Sequence, residues 1–176
     1  TVKIDLPAAP AAVPQRPKAT DRPTGVLVVG RKRPGFDQEW NQIIRRRAAA
    51  AWRELSVECI GAEQPVVDDQ TLIAAVEKIR HAGCDSLVVL QPSLGSGQLA
   101  MTLMQHWSGP VVLWATPERA DGEKVSSCSL VAQHLWASIL RQANHSFEFV
   151  YGGADEKRVM EEMKQAIALA SVARKL

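Results

Sequence analysis

Five short apolar segments alternate with amphipathic stretches along this chain, and that rhythm limits the possible folds more than any other feature. The segments are GVLVVG (Gly25 to Gly30), VECI (Val57 to Ile60), SLVVL (Ser86 to Leu90), PVVLWA (Pro110 to Ala115) and FEFVY (Phe147 to Tyr151). Unbroken valines and leucines suit strands buried on both faces, as in a parallel sheet covered by helices. Between the segments, apolar residues recur at steps of three and four, which marks one buried helix face. Trp40, Ile43, Ile44, Ala48, Ala51, Trp52 and Leu55 do so in one stretch, Leu72, Ile73, Val76 and Ile79 in the next, and Val159, Met163, Ile167 and Val172 in the last. Strand–helix–strand units of this length pair their strands in parallel through right-handed crossovers. The expected fold is α/β: a doubly wound, mostly parallel five-stranded sheet, flavodoxin-like or Rossmann-like, in three α/β/α layers with strand order 2-1-3-4-5.

Local signals place the element ends. Asp37 is the expected N-cap of a helix from Gln38 to Leu55, and Asp68 or Asp69 caps the next, which Gly83 stops. A helix from about Gln98 to Trp107 is broken by Gly109-Pro110. Ser126 or Ser127 is expected to cap a helix to about Ala143, and Asp155 the last one. The consecutive cations Arg45, Arg46 and Arg47 read as the solvated side of their helix, because neighbouring helical positions point in different directions. Residues 1–24 carry Pro7, Pro10, Pro14, Pro17 and Pro23, so they read as an extended arm or linker ahead of one α/β domain spanning 25–176. Within that arm Val2, Ile4 and Leu6 alternate in the manner of a short edge strand.

A formal net charge of +2 argues against nucleic acid or an acidic membrane as partner. No run approaches the ~20 apolar residues of a membrane helix, and no signal-peptide pattern opens the chain. The first residue is not Met, which reads as a processed or trimmed start. Cys59, Cys84 and Cys128 lie far apart in sequence and read as free thiols of a reducing, cytoplasmic compartment.

In a doubly wound sheet the ligand-bearing loops leave the carboxyl ends of the strands. Here they read GRKRPGFD, QPSLGSGQ, TPERADGEKVSSC and GGADE. Three features in them suit an anion or a polyol: the cations Arg31, Lys32 and Arg33, the turn Gly95-Ser96-Gly97, and the helix start at Ser126-Ser127. No GxGxxG or GxxxxGK[ST] follows a strand. His81, His106, His134 and His145 form no metal-ligand spacing, and His134 reads as a core residue among Leu130, Leu135 and Ile139. Ser93 lacks the flanks of a nucleophile elbow. Cys128 has a helix-start position that lowers a thiol pKa, but no histidine lies near it in sequence, so it reads as structural. Glu118 and Asp121 flank one loop, at a separation that sequence does not give. The chain therefore shows no catalytic or metal-binding set of its own.

The stretch DSLVVLQPS from Asp85, the block PVVLWATPE from Pro110 to Glu118, the following VSSCSLVAQHL and the segment HSFEFVYGG from His145 resemble the N-terminal domain of L-fucose isomerase and L-arabinose isomerase-like proteins. The resemblance runs from about Gly25 to Leu176. It implies a parent protein that is a metal-dependent aldose–ketose isomerase, with Mn²⁺, the proton-moving acids and a metal-binding histidine in later domains, and the end of this chain fits a cut before the next of them. It also implies that this domain caps a neighbouring subunit's sugar site within a homo-oligomer. By position the sugar contacts would be Arg31, Lys32 and Arg33 after the first strand, and Gln91, Ser93 and Leu94 after the third. Leu94 stands where fucose isomerases tend to carry an aromatic. One lobe of a periplasmic-binding or LacI-like sugar receptor is the alternative, since such lobes share the strand–loop–helix order. A response-regulator-like protein is disfavoured, because the first strand ends in Gly30-Arg31 where a receiver carries carboxylates.

Overall fold

The computed structural model of the chain describes residues 23–30, 34–54, 58–122 and 124–173. The alternating Val2, Ile4 and Leu6 of the arm, and the cations Arg31, Lys32 and Arg33, lie outside the described residues.

Among the described residues, six strands form one sheet: β1 (Thr24–Val29), β2 (Cys59–Ile60), β3 (Pro65–Val66), β4 (Ser86–Leu90), β5 (Val111–Ala115) and β6 (Phe147–Tyr151). The order is β2-β1-β4-β5-β6, with β3 also paired to β1, and every pairing is parallel. This is the expected 2-1-3-4-5 order. The strand count differs from the expected five because the second position is filled by two pieces. Thr24 and Gly25 pair with Cys59 and Ile60, whereas Val28 and Val29 pair with Pro65 and Val66, so the second piece resumes two residues further along. Gly61 makes the break: it turns with φ +97, and a Cβ there would meet the Val26 carbonyl oxygen at 2.9 Å. Pro65 lacks an N–H and is tolerated as the first residue of a resumed edge strand.

Among the described residues, five helices cover the sheet: α1 (Gln38–Glu54), α2 (Asp69–His81), α3 (Gly97–His106), α4 (Ser129–Gln142) and α5 (Lys157–Ala173). Asp37 caps α1 by accepting from the Trp40 amide at 2.9 Å, as expected. Asp68 caps α2 in a reciprocal box with Thr71, and Gly83 follows that helix with φ +73. Two expected caps are corrected. The cap position of α4 is Cys128, in the left-handed region with φ 52, and neither Ser126 nor Ser127 occupies it. Asp155 pairs with Arg47 at 3.2 Å, while the Glu156 carbonyl accepts from Met160 in the first turn of α5.

Alternate residues of each strand serve opposite layers. Val26, Val28, Val88, Leu90, Val112, Trp114 and Val150 pack against α1 and α5, where Trp52 meets Trp114 edge-on with ring centroids 5.3 Å apart. Leu27, Val29, Leu87, Val89, Val111 and Leu113 pack against α2, α3 and α4. On α4 the residues facing the sheet are Ala132, Gln133, Trp136 and Leu140. That phase turns His134 outward, so it is exposed and rests near Phe149 with ring centroids 5.3 Å apart; the expected core placement is corrected. Arg46 and Arg47 are exposed as expected, while Arg45 is half-buried and reaches the Gly30 carbonyl at 3.5 Å. Among the described residues no helix is long and apolar enough to cross a membrane.

Candidate functional site

The carboxyl ends of β1, β4, β5 and β6 meet along one rim, and the loops there are tied to one another by side chains. Phe36 and Val125 form a parallel bridge between the loops after β1 and β5, and the Asp37 amide donates to the Val125 carbonyl at 2.9 Å. Asn41 Nδ2 donates to the Ser126 carbonyl at 3.0 Å, and Trp40 Nε1 to the Pro117 carbonyl at 3.3 Å. Arg119 spans the same gap to Asp37 at 3.1 Å and Glu39 at 3.5 Å, and also holds Asp121 at 3.2 Å. The amide of Trp40, with the Arg119 guanidinium, holds the Asp37 carboxyl below its usual range.

Glu118 fills the start of α4. Its carboxylate accepts from the Ser126 hydroxyl, from the Ser127 amide at 2.8 Å and hydroxyl at 2.9 Å, and from the Ser129 amide at 3.2 Å. Burial pushes this carboxyl up, but the hydrogen bonds outweigh it and leave the group below its ordinary value. The helix start that sequence offers as an anion or polyol site is therefore occupied by the chain's own carboxylate. Glu118 and Asp121 serve different partners and form no acid pair. Burial and the nearby Glu118 raise the Cys128 thiol, the opposite of activation, while burial pushes Cys59 up to about 12.

After β4 the loop is organised around a buried amide pair. Gln133 is fully buried and its Nε2 donates to two strand-end carbonyls, Val89 at 2.6 Å and Trp114 at 3.0 Å. Its Oε1 accepts from Gln91 Nε2 at 3.2 Å, and Gln91 Oε1 accepts the Gly95 amide at 3.2 Å. Of the three candidate sugar contacts here, Gln91 is thus wholly buried. Ser93 is 4 % exposed and sits against Gly30, where a Cβ would come 2.8 Å from the Ser93 carbonyl oxygen. Leu94 is half-buried and lines a cleft of about 210 Å³ with Gly30, Val67, Asp68, Ser96 and Gln98. Arg31, Lys32 and Arg33 fall between Gly30 and Pro34, next to this cleft in the chain but outside the described residues.

A second cleft, of about 240 Å³, opens on the other face of the sheet between α1 and the loops after β5 and β6, with Trp40, Ile44, Pro117 and Ala154 beside the charged Arg47, Glu118, Asp155 and Glu156 in its lining. Sequence reading passed over Gln133. A glutamine in phase with Trp136 and Leu140 on a buried stripe is the signal that marks it. Among the described residues no three His, Cys, Asp or Glu side chains gather as a metal ion requires, so they do not furnish a site for the Mn²⁺ that the isomerase resemblance implies.

A family model described as fucose/sulfoquinovose isomerase, N-terminal domain, matches residues 25–129. The chain belongs to this family. The match takes in the loops after β1 and β4 and the whole Glu118 cluster, and it bears out the resemblance to L-fucose isomerase N-terminal domains. Sulfoquinovose isomerases of Priestia aryabhattai and of Priestia megaterium are each 26% identical over 153 residues, covering 87% of this chain and 34% of their own length. A sulfoquinovose isomerase of Alkalicoccus urumqiensis is 25% identical over 79 residues, covering 45% of this chain and 18% of its own length. The chain therefore spans about a third of the length of the first two relatives.

Proposed function

We propose that this chain serves as the N-terminal, non-catalytic domain of a cytoplasmic aldose–ketose isomerase, where it closes a neighbouring subunit's sugar site and supports the oligomer. Family membership across 25–129 is the observation that carries this reading. The proton transfers, and the Mn²⁺ expected with them, belong to later domains of the longer protein. Leu94 meets the sugar at the mouth of its cleft, while Gln91 and Ser93 fix the loop that presents it. Arg31, Lys32 and Arg33 supply positive charge beside it. Because the relatives are named for a sulfonated sugar, the substrate class favoured here is an aldose carrying an anionic group, which those cations hold by charge-assisted hydrogen bonds.

The test uses the full gene product that contains this chain. Arg31→Ala and Arg33→Ala should raise KM for the anionic aldose by about 10- to 100-fold, as expected for losing a charged hydrogen bond, with kcat and circular dichroism unchanged. Light scattering should show a multimer. An unchanged KM removes the cation role, and a monomeric active enzyme removes the capping role.

A further inference from the structure

Arg45 is a cation that the fold draws partly out of water without neutralising it. Its neighbours Arg46 and Arg47 are exposed, whereas Arg45 is half-buried, and burial pulls its guanidinium below the ordinary arginine pKa. Withdrawing a charge from solvent without a counter-charge costs free energy, so such a group is paired as a rule. Among the described residues the Arg45 guanidinium meets a single partner, the Gly30 carbonyl, at 3.5 Å. That contact uses one N–H of a planar group that carries five.

Among the described residues of the rim no carboxylate is left over for it. On its own helix the positions three and four residues away are Asn41, Gln42, Ala48 and Ala49, none of them acidic. Arg119 holds Asp37, Glu39 and Asp121. The serines before α4 hold Glu118, and Arg47 holds Asp155. On the other side of β1, Glu63 pairs with Lys78, Asp68 caps α2 through Thr71, and Asp69 accepts from the Thr102 hydroxyl at 2.6 Å.

Position points the same way. Arg45 reaches Gly30 at the carboxyl end of β1, and Gly30 also lines the cleft of about 210 Å³ that Leu94 borders. Arg31, Lys32 and Arg33 follow Gly30 directly in the chain. Three further cations thus leave from the strand end that Arg45 reaches, and like charge so concentrated favours an anionic ligand. We propose that Arg45 is the helix-borne receptor for the anionic group of the sugar, taking two oxygens of a sulfonate-, sulfate- or phosphate-type group on the open edge of its guanidinium. A planar fork meets such oxyanions through two parallel N–H···O bonds, which an ammonium does not. The inference rests on the anionic-aldose reading and adds to it a residue that sequence places on the solvated side of α1.

The probes are D-glucose 6-sulfate and uncharged D-glucose, each titrated calorimetrically into the full gene product. The 6-sulfate should bind more tightly than glucose. Arg45→Met should weaken it by about 10- to 100-fold, as for losing hydrogen bonds to a charged group, and Arg45→Lys, which keeps the charge but not the fork, by less. Glucose should bind all three proteins equally, and Arg46→Met, at an exposed neighbour, should leave both sugars unaffected. The ligand-free Arg45→Met protein should melt at the same temperature or higher, because a desolvated charge has been removed; a lower one would mark Arg45 as a structural tie to Gly30 and overturn the inference. So would a 6-sulfate affinity that survives Arg45→Met, that falls equally in Arg46→Met, or whose fall is matched by glucose. If Arg31→Ala with Arg33→Ala abolishes the preference for the 6-sulfate and Arg45→Met does not, the anionic-aldose reading stands and this inference falls. Absence of that preference in the unaltered protein overturns both.

Discussion

Glu118 shows how one side chain can decide what a helix start is for. A run of serines before a helix reads as open amides and hydroxyls, but here a carboxylate eight residues before Ser126 returns to fill them. The consequence is a defined pH dependence. A carboxyl whose folded-state pKa is depressed contributes its full stabilisation above the ordinary value of 4.5 and loses it as pH falls through the lower folded value. Glu118→Gln should therefore lower the urea midpoint at pH 7, and the gap between variant and parent should close in acid. Because Glu118 keeps part of its surface in water, screening holds the effect to about 1 kcal/mol or less. Urea titrations at pH 7 and at pH 3 check this, and a gap that stays constant across that range would show that the carboxylate's charge contributes nothing.

At the scale of elements, the Gln133–Gln91 pair joins a helix to the ends of two strands. Replacing Gln133 by Leu would strip the side-chain donor from the buried Val89 and Trp114 carbonyls. Each buried group left unmatched costs about 1–3 kcal/mol, so Gln133→Leu should destabilise the chain by about 2–5 kcal/mol in urea unfolding. A loss below about 0.5 kcal/mol, the range of surface substitutions, would mean that the bridge is dispensable. Much of this architecture was legible in the sequence. The strands at Ser86–Leu90 and Phe147–Tyr151 have the expected bounds, because apolar runs are set off by Gly83 on one side and polar turns on the other. The split second strand was not legible, since two-residue pieces such as Cys59–Ile60 and Pro65–Val66 are too short to carry any periodicity. The α4 start was misplaced for a related reason: Ser126 and Ser127 have the chemistry of caps, and only tertiary contact shows that Glu118 claims them. At the site, the rim loops were found from topology, but the cleft beside Trp40 needs α1 to meet the loops after β5 and β6, and no spacing in the chain encodes that.

For the molecule as a whole, the two hydrophobic layers share one sheet and should fail together. Trp114 is fully buried on the α1/α5 side and Trp136 on the α4 side. Variants that keep only one of these tryptophans as reporter should show urea midpoints that coincide once each variant's own stability is accounted for, as expected of a cooperative domain of this size. Two separated transitions would show that the layers unfold independently. The borders of the same sheet are unequal. Along β6 five consecutive residues stay in regular register with β5, and their outer backbone groups form an even row. On the far side the two-residue slip between Ile60 and Pro65 interrupts that row, so a foreign strand laid there would match for no more than a pair of residues before falling out of step. Among the described residues, cross-β polymerisation consequently has one regular border on which to start, and a proline or an added lysine in Phe147–Tyr151 is the change that would close it.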